Sequence, residues 1–385
     1  MYPTINDVHI WAESLEEIHH LLRPRFARAE PRERAMAYLR GLLSTTQRKN
    51  GWQLAELAGE ATPDGMQRLL STAQWDADAV RDDLQQYVMA HLHDPQAVLV
   101  IDETGFLKKG TKSAGVAPQY SGTAGRLANS QIGVFLAYAT PEGPALIDRA
   151  LYLPHAWVDD PARCREAGIP QPYRHHTKQV LALAMLEHAY ANGVTAGWMT
   201  ADSLYGGDFK VRQWLEAHQQ AFVVAVPRNQ RIGLAGKAEL VAARWPEDVW
   251  QRLSAGEGSQ GPRGFDWAWM PMSWRDAPHG WQHWLLARRS LTDPTDLAYF
   301  FVFAPTPVTL AQVVQVAGTR WQVEEAFELA KQHVGLDEYE VRHWDGWYRH
   351  ITFAMLALAF LTVIKVAAQK RGTIGSKRTP KHSSR

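Results

Sequence analysis

An α/β fold with a helical front and a β-rich interruption is what this chain of 385 residues predicts. Three observations carry that expectation. Residues 1–94 place apolar positions at helical spacing, residues 95–227 alternate short β-branched runs with amphipathic segments, and residues 228–306 turn Trp-rich and strand-like.

The helical front reads as five short segments, SLEEIHHLL, RERAMAYLRGLL, WQLAELAG, DGMQRLLS and DADAVRDDLQQYV. Pro63 and Asp64 open the fourth, with Thr62 available as its cap. Short helices joined by tight turns suit a small DNA-binding bundle, and they suit any helical packing unit equally.

AVLVIDE (97–103) is a buried-strand pattern that ends on carboxylates, and a loop rich in Gly, Lys and Ser follows it. SQIGVFLAYAT and ALIDRALYLP are two further strands around the turn PEG. HTKQVLALAMLEHAYANG is a helix that stops at Asn192-Gly193. VTAGWMTAD is a fourth strand ending on an acid, GGDFKVRQWLEAHQ a helix and AFVVAVP a fifth strand. The order is a three-strand meander, then helix, strand, helix, strand.

FDWAWMPMSW, WQHWLLARRS and DLAYFFVFAP make residues 228–306 a β-rich insertion. Thr309 and Gln312 form a capping box for the helix that carries RWQVEEAFELAKQHVG (320–335). The apolar run 351–364 is shorter than the roughly 20 residues a bilayer needs, which favours a buried helix in residues 307–364 and no membrane contact. Residues 365–385 hold seven Lys/Arg and no acid, a basic tail expected to be disordered.

Composition narrows the class. With 46% hydrophobic and 21% charged residues the chain is globular. Cys164 alone cannot form an intramolecular disulfide, and the first residues lack a signal-peptide pattern, so a reducing, cytoplasmic setting is expected. The net charge of +1 conceals the basic tail and a second basic cluster between Arg23 and Lys49. Basic ends on a near-neutral chain suit a polyanion partner.

The chemistry concentrates at three acids. Asp102 and Asp202 each close a strand. On a helix, Arg320, Glu324 and Lys331 fall at about 0°, 40° and 20° around the axis, while Glu325 points about 140° away. Three carboxylates suit two Mg²⁺ ions, which prefer hard oxygen ligands. Such a pair, about 4 Å apart, activates an attacking oxygen and stabilises a leaving one in phosphodiester chemistry. Arg320 and Lys331 would hold the phosphate oxygens. Each residue also has a plain structural reading: Asp202 caps the turn SLYGG, and Lys108, Lys109 and Lys112 keep a loop soluble or steer DNA. Walker and G-x-S-x-G motifs are absent, and His155, His175 and His176 are too scattered in sequence for a zinc site.

Together VLVIDETGFLKKG, TADSLYGGDFK and RWQVEEAFELAKQHVGLDEYEVR resemble the DDE transposases of bacterial insertion sequences, in the groups named after insertion sequences four and seven-oh-one. The resemblance implies an RNase H-like catalytic core interrupted by the β-rich insertion before its last catalytic helix. It implies Asp102, Asp202 and Glu324 as catalytic metal ligands for two Mg²⁺, with Mn²⁺ able to substitute. Arg320 and Lys331 match the family's phosphate-gripping pair, while its tyrosine position is Ala317 here. The family stacks a flipped base on a tryptophan of the insertion, for which Trp267, Trp269, Trp281 and Trp284 are candidates. The implied partners are inverted-repeat end DNA and target DNA, bound by a homodimer that holds two ends. Two other readings stay open: a disabled DNA-binding remnant, and a carbohydrate hydrolase with paired carboxylates, which the phosphate-gripping cations disfavour.

Overall fold

The computed structural model describes residues 5–122, 125–258, 261–272 and 276–376. Five helices lead: α1 (Ile5–Leu22), α2 (Ala29–Leu43), α3 (Gly51–Leu57), α4 (Asp64–Ser71) and α5 (Ala77–Leu92). Asn50 and Asp76 cap α3 and α5 by accepting backbone N–H bonds from Gln53 and Asp78. Thr62 makes no such bond for α4; its hydroxyl donates to the Asp64 side chain instead.

The sheet begins with β1 (Val98–Leu107), β2 (Ala117–Ser121), β3 (Arg126–Thr140) and β4 (Gly143–Tyr152). Short helices α6 (His155–Val158) and α7 (Pro161–Glu166) lead to α8 (Lys178–Ala191), β5 (Trp198–Ala201), α9 (Ser203–Gly206), α10 (Phe209–Ala217) and β6 (Phe222–Val226). Strand β1 outruns the apolar pattern by four residues, and β2 forms inside what the sequence marks as loop.

The insertion holds β7 (Arg231–Ile232), β8 (Gly236–Lys237), α11 (Ala238–Ala242), β9 (Gln251–Gly258), β10 (Gly261–Pro271), β11 (Trp281–Arg289) and β12 (Leu297–Pro305). Its long strands do not form a sheet of their own. Strand β12 pairs antiparallel with β6, so the order runs β2-β3-β1-β5-β6-β12-β11-β10-β9, with β4 on β3. Strands β1, β5 and β6 are mutually parallel, while β3 and β4 are antiparallel neighbours. Far-edge β9 packs on α12 (Leu310–Thr319), which also touches β1, β5 and β6, so the sheet curls back on itself.

The capping box at Thr309 and Gln312 starts α12. One continuous helix was expected from there to Gly335, but the chain breaks at Arg320 and restarts as α13 (Trp321–Val334). Arg320 keeps right-handed helical dihedrals, φ -51° and ψ -34°, so the interruption is a single residue; just before it Gly318 lets α12 dock on β9, where a Cβ would lie 1.9 Å from the Ala255 carbonyl oxygen. Gly335, left-handed at φ 64°, ends α13.

Helix α14 (Trp344–Ser376) runs through the middle of the molecule, with Phe353, Met355 and Leu356 fully buried. By length and composition it could cross a membrane, yet it packs on β4, α5, α4 and α2 as a core helix. Burial of each large apolar side chain contributes about 1.5–3 kcal/mol, which accounts for the apolar run. Against the expectation of a disordered tail from residue 365, the helix continues past Lys365 to Ser376; residues 377–385 lie outside the described residues.

Candidate active site

Parallel pairing brings the first two acids together. Strands β1 and β5 align Val98 with Trp198 through Ile101 with Ala201, so Asp102 and Asp202 leave the paired stretch at the same end. Asp102 is not a strand terminus: β1 continues, with Asp102 opposite Phe135 of β3. Asp202 does leave its strand and caps α9, accepting from Leu204 N at 2.9 Å and Tyr205 N at 3.3 Å.

The third acid arrives on α13. Arg320, at the α12–α13 junction, donates from Nη1 to Asp102 Oδ2 at 3.1 Å and from Nη2 to Glu324 Oε1 at 2.8 Å. One guanidinium therefore spans both carboxylates. Lys331 reaches β1 as well, its Nζ 2.9 Å from Thr104 Oγ1. Thr104 lies two residues beyond Asp102 and so on the same strand face. Glu325 is exposed on the other side of α13.

Burial pushes the Asp102 carboxyl up to about 7, with Asp202 and Glu103 adding to the rise and Arg320 opposing it. Burial and Glu103 also raise Asp202, against its backbone N–H bonds and Arg320. Two carboxylates whose charge is disfavoured in the free protein are chemically suited to a divalent cation. All three acids offer hard oxygen donors. Among the described residues no three metal-binding side chains converge on one point, since the Arg320 guanidinium lies between Asp102 and Glu324.

Behind the aspartates sits a contact that sequence reasoning missed. The Tyr205 hydroxyl donates to Glu103 Oε2, and Lys178 Nζ lies 2.6 Å from Glu103 Oε1. Tyr205 thus ties β1 to the same turn that Asp202 caps. The only signals in the sequence were adjacency: Glu103 follows Asp102, and Tyr205 stands three residues after Asp202.

Residues 21–248 match the family model described as DDE superfamily endonuclease, and residues 155–360 match the one described as Transposase DDE domain. The chain belongs to the DDE transposase family. It is also 24% identical over 318 residues to the "Probable transposase for insertion sequence element IS701" of Microchaete diplosiphon, covering 80% of this chain and 77% of that relative.

Around the acids, the transposase distributes its loop lysines unevenly. Lys108 donates to the Tyr339 carbonyl at 3.2 Å and sits 3.4 Å over the Tyr339 ring, and burial pulls its ammonium down to about 8. Lys112 pairs with Glu166 at 2.6 Å. Lys109 is exposed. The rings of His155 and His175 stack at 3.8 Å, a meeting hidden by their separation in sequence.

The four candidate tryptophans in the insertion of this transposase belong mainly to packing. Trp267 is 1% exposed and lies against Phe300, and Trp284, 7% exposed, stacks on half-buried Trp269. Trp281 is half-buried and stacks on Phe303, on the opposite sheet face. The exposed tryptophan beside the acids is Trp321, at 51%, immediately after Arg320.

Proposed function

We propose that this transposase cuts the inverted-repeat ends of its own element by metal-dependent hydrolysis and joins the freed 3′-hydroxyl to target DNA. The observation that carries the reading is the bridge from Arg320 to Asp102 and Glu324, beside the point where Asp202 leaves β5.

Its core is of the RNase H-like type. The order β4-β3-β1-β5-β6, an antiparallel meander continued by two strands parallel to β1, supports that assignment. The preceding helices, residues 1–94, act in DNA binding; the exposed Arg23, Arg28, Arg40 and Arg48 of the basic cluster favour this, while Arg25, Arg34 and Lys49 are engaged within the fold.

Asp102, Asp202 and Glu324 are the residues that would hold two Mg²⁺, or Mn²⁺ in its place. When bound, such ions supply Lewis acidity toward the scissile phosphate and the attacking oxygen. Asp102 and Asp202 are fixed by strand pairing and by the α9 cap, so their geometry is set before DNA arrives. Glu324 rides on α13 and is joined to Asp102 only through Arg320. Arg320 and Lys331 hold phosphate oxygens at this edge of β1, and exposed Lys109 steers the backbone. Lys108 and Lys112 join in only by giving up Tyr339 and Glu166. A displaced base stacks on Trp321, or on half-buried Trp269 or Trp281, in preference to buried Trp267 and Trp284.

Two ends must be held at once, so the working unit is a homodimer on DNA, in the cytoplasm. Glu324→Gln tests the reading: it abolishes end cutting while end binding stays within a few-fold. Substantial residual strand cleavage by this variant would falsify the three-carboxylate assignment.

A further inference from the structure

The insertion sheet carries arginines on both faces, and the two faces treat them differently. On the face turned from α12, Arg252 Nε meets Asp266 Oδ1 at 3.1 Å. Arg289 on that face forks onto Glu247 at 3.0 and 2.9 Å and lies 3.6 Å from Asp266. On the other face, Arg263 and Arg288 have no carboxylate within ion-pair distance among the described residues.

Strand alternation and pairing put these two arginines in one row. Arg263, Phe265 and Trp267 share a face of β10, and Trp267 is directly opposite Arg288 of β11. The Arg288 guanidinium lies 4.4 Å from the Phe265 ring centre. Arg263 sits at the α12–α13 junction: its Nη2 donates to Ala255 O at 2.9 Å and Gly318 O at 3.0 Å, and Trp321 lies 5.7 Å from its guanidinium. Arg320 is two residues beyond Gly318. In both arginines Nε is buried with no partner. Burial lowers both guanidinium pKa values; Glu324 opposes the fall at Arg263 and Asp296 opposes it at Arg288, while Arg320 adds to it in both.

We infer that Arg263 and Arg288, together with Arg320, form a phosphate-binding site beside Glu324 that takes a backbone phosphate of the DNA entering the active site. The inference rests on the transposase reading and adds two arginines of β10 and β11 to its phosphate contacts. Arg320 already holds Asp102 and Glu324, whereas Glu324 and Asp296 act on Arg263 and Arg288 only from beyond ion-pair distance; a phosphodiester gives these two half-buried guanidiniums a direct anionic partner. A purely structural role covers Arg263 in part, through its two carbonyl bonds. It leaves Arg288 unexplained, because an uncharged side chain would cover Phe265 without a charge to bury.

The test uses the full chain and duplexes from the DNA flanking its gene, with affinity measured by fluorescence anisotropy from about 50 to 300 mM salt. Loss of one phosphate contact lowers the log–log salt slope by about 0.9 and weakens binding roughly eightfold near 0.1 M salt. Arg288→Gln and Arg263→Gln each show that change, while Arg252→Gln, on the opposite face, binds like wild type. Thermal melts followed by circular dichroism report folding. Should Arg263→Gln unfold, Arg288→Gln decides, since its side chain holds no backbone carbonyl. Unchanged slopes in folded variants, with wild type still cutting the duplex in Mn²⁺, would overturn this site and leave the transposase reading standing. Wild type that neither binds nor cuts would overturn both.

Discussion

Arg320 Nη1 lies 3.1 Å from Asp102 Oδ2, a contact between residues 218 apart in the sequence. Through its other nitrogen the same guanidinium holds Glu324. A lysine offers one compact ammonium in place of a planar fork and cannot reproduce both contacts in this geometry. Arg320→Lys therefore lowers end cleavage by about 100-fold at saturating DNA, and Arg320→Ala by at least as much. Gel-resolved cleavage of an end duplex checks this, and near-wild-type rates in the lysine variant would show that the fork is dispensable.

Tyr205 links the segments of both aspartates, donating its hydroxyl to Glu103 and its backbone N–H to Asp202. Tyr205→Phe keeps the buried ring and removes only the hydroxyl, leaving Glu103 with Lys178. Stability falls by about 1–2 kcal/mol. The cleavage rate falls with end affinity nearly unchanged, because the residue positions Asp202 without touching DNA. Denaturant melts and single-turnover cleavage separate the two effects. A wild-type turnover rate in this variant would reduce Tyr205 to packing.

His350 gives a pH dependence of stability. It is fully buried; its Nε2 donates to Gly335 O at 2.9 Å, so Nδ1 accepts from the Tyr38 hydroxyl at 2.7 Å. Burial pulls its pKa from 6.5 down to about 4. Below the unfolded value the unfolded chain binds a proton that the folded one refuses. Stability is thus complete above about pH 6.5 and falls toward pH 4, by about 3 kcal/mol from this group. Urea midpoints across that window drop more steeply for wild type than for His350→Gln. Parallel curves would remove His350 from the acid response.

What the sequence made legible is local. The β1 and β5 acids show because apolar β-branched runs end on them, and the contact between Arg320 and Glu324 follows from a four-residue spacing. The docking of α12 on β9 was hidden, since it depends on Gly318 meeting the Ala255 carbonyl far away in sequence. Lys108 read as a loop cation because nothing local announces Tyr339. Strand β2 was masked by Pro118 and the surrounding glycines, which mark turns unless a long partner such as β3 pairs with them. The tryptophans of β10 and β11 could not be sorted into buried and exposed before the pairing of those strands was known. Trp321, outside the insertion, drew no notice there.

We propose that Asp102, Asp202 and Glu324 act as one catalytic centre, which strand cleavage can decide. Duplexes carrying the DNA that flanks the gene are incubated with wild type and Asp102→Ala, in Mg²⁺ or Mn²⁺ and in chelator. Wild type nicks at the repeat boundary only with metal and the variant does not, with both proteins bound to the duplex. Equal nicking by Asp102→Ala would contradict it.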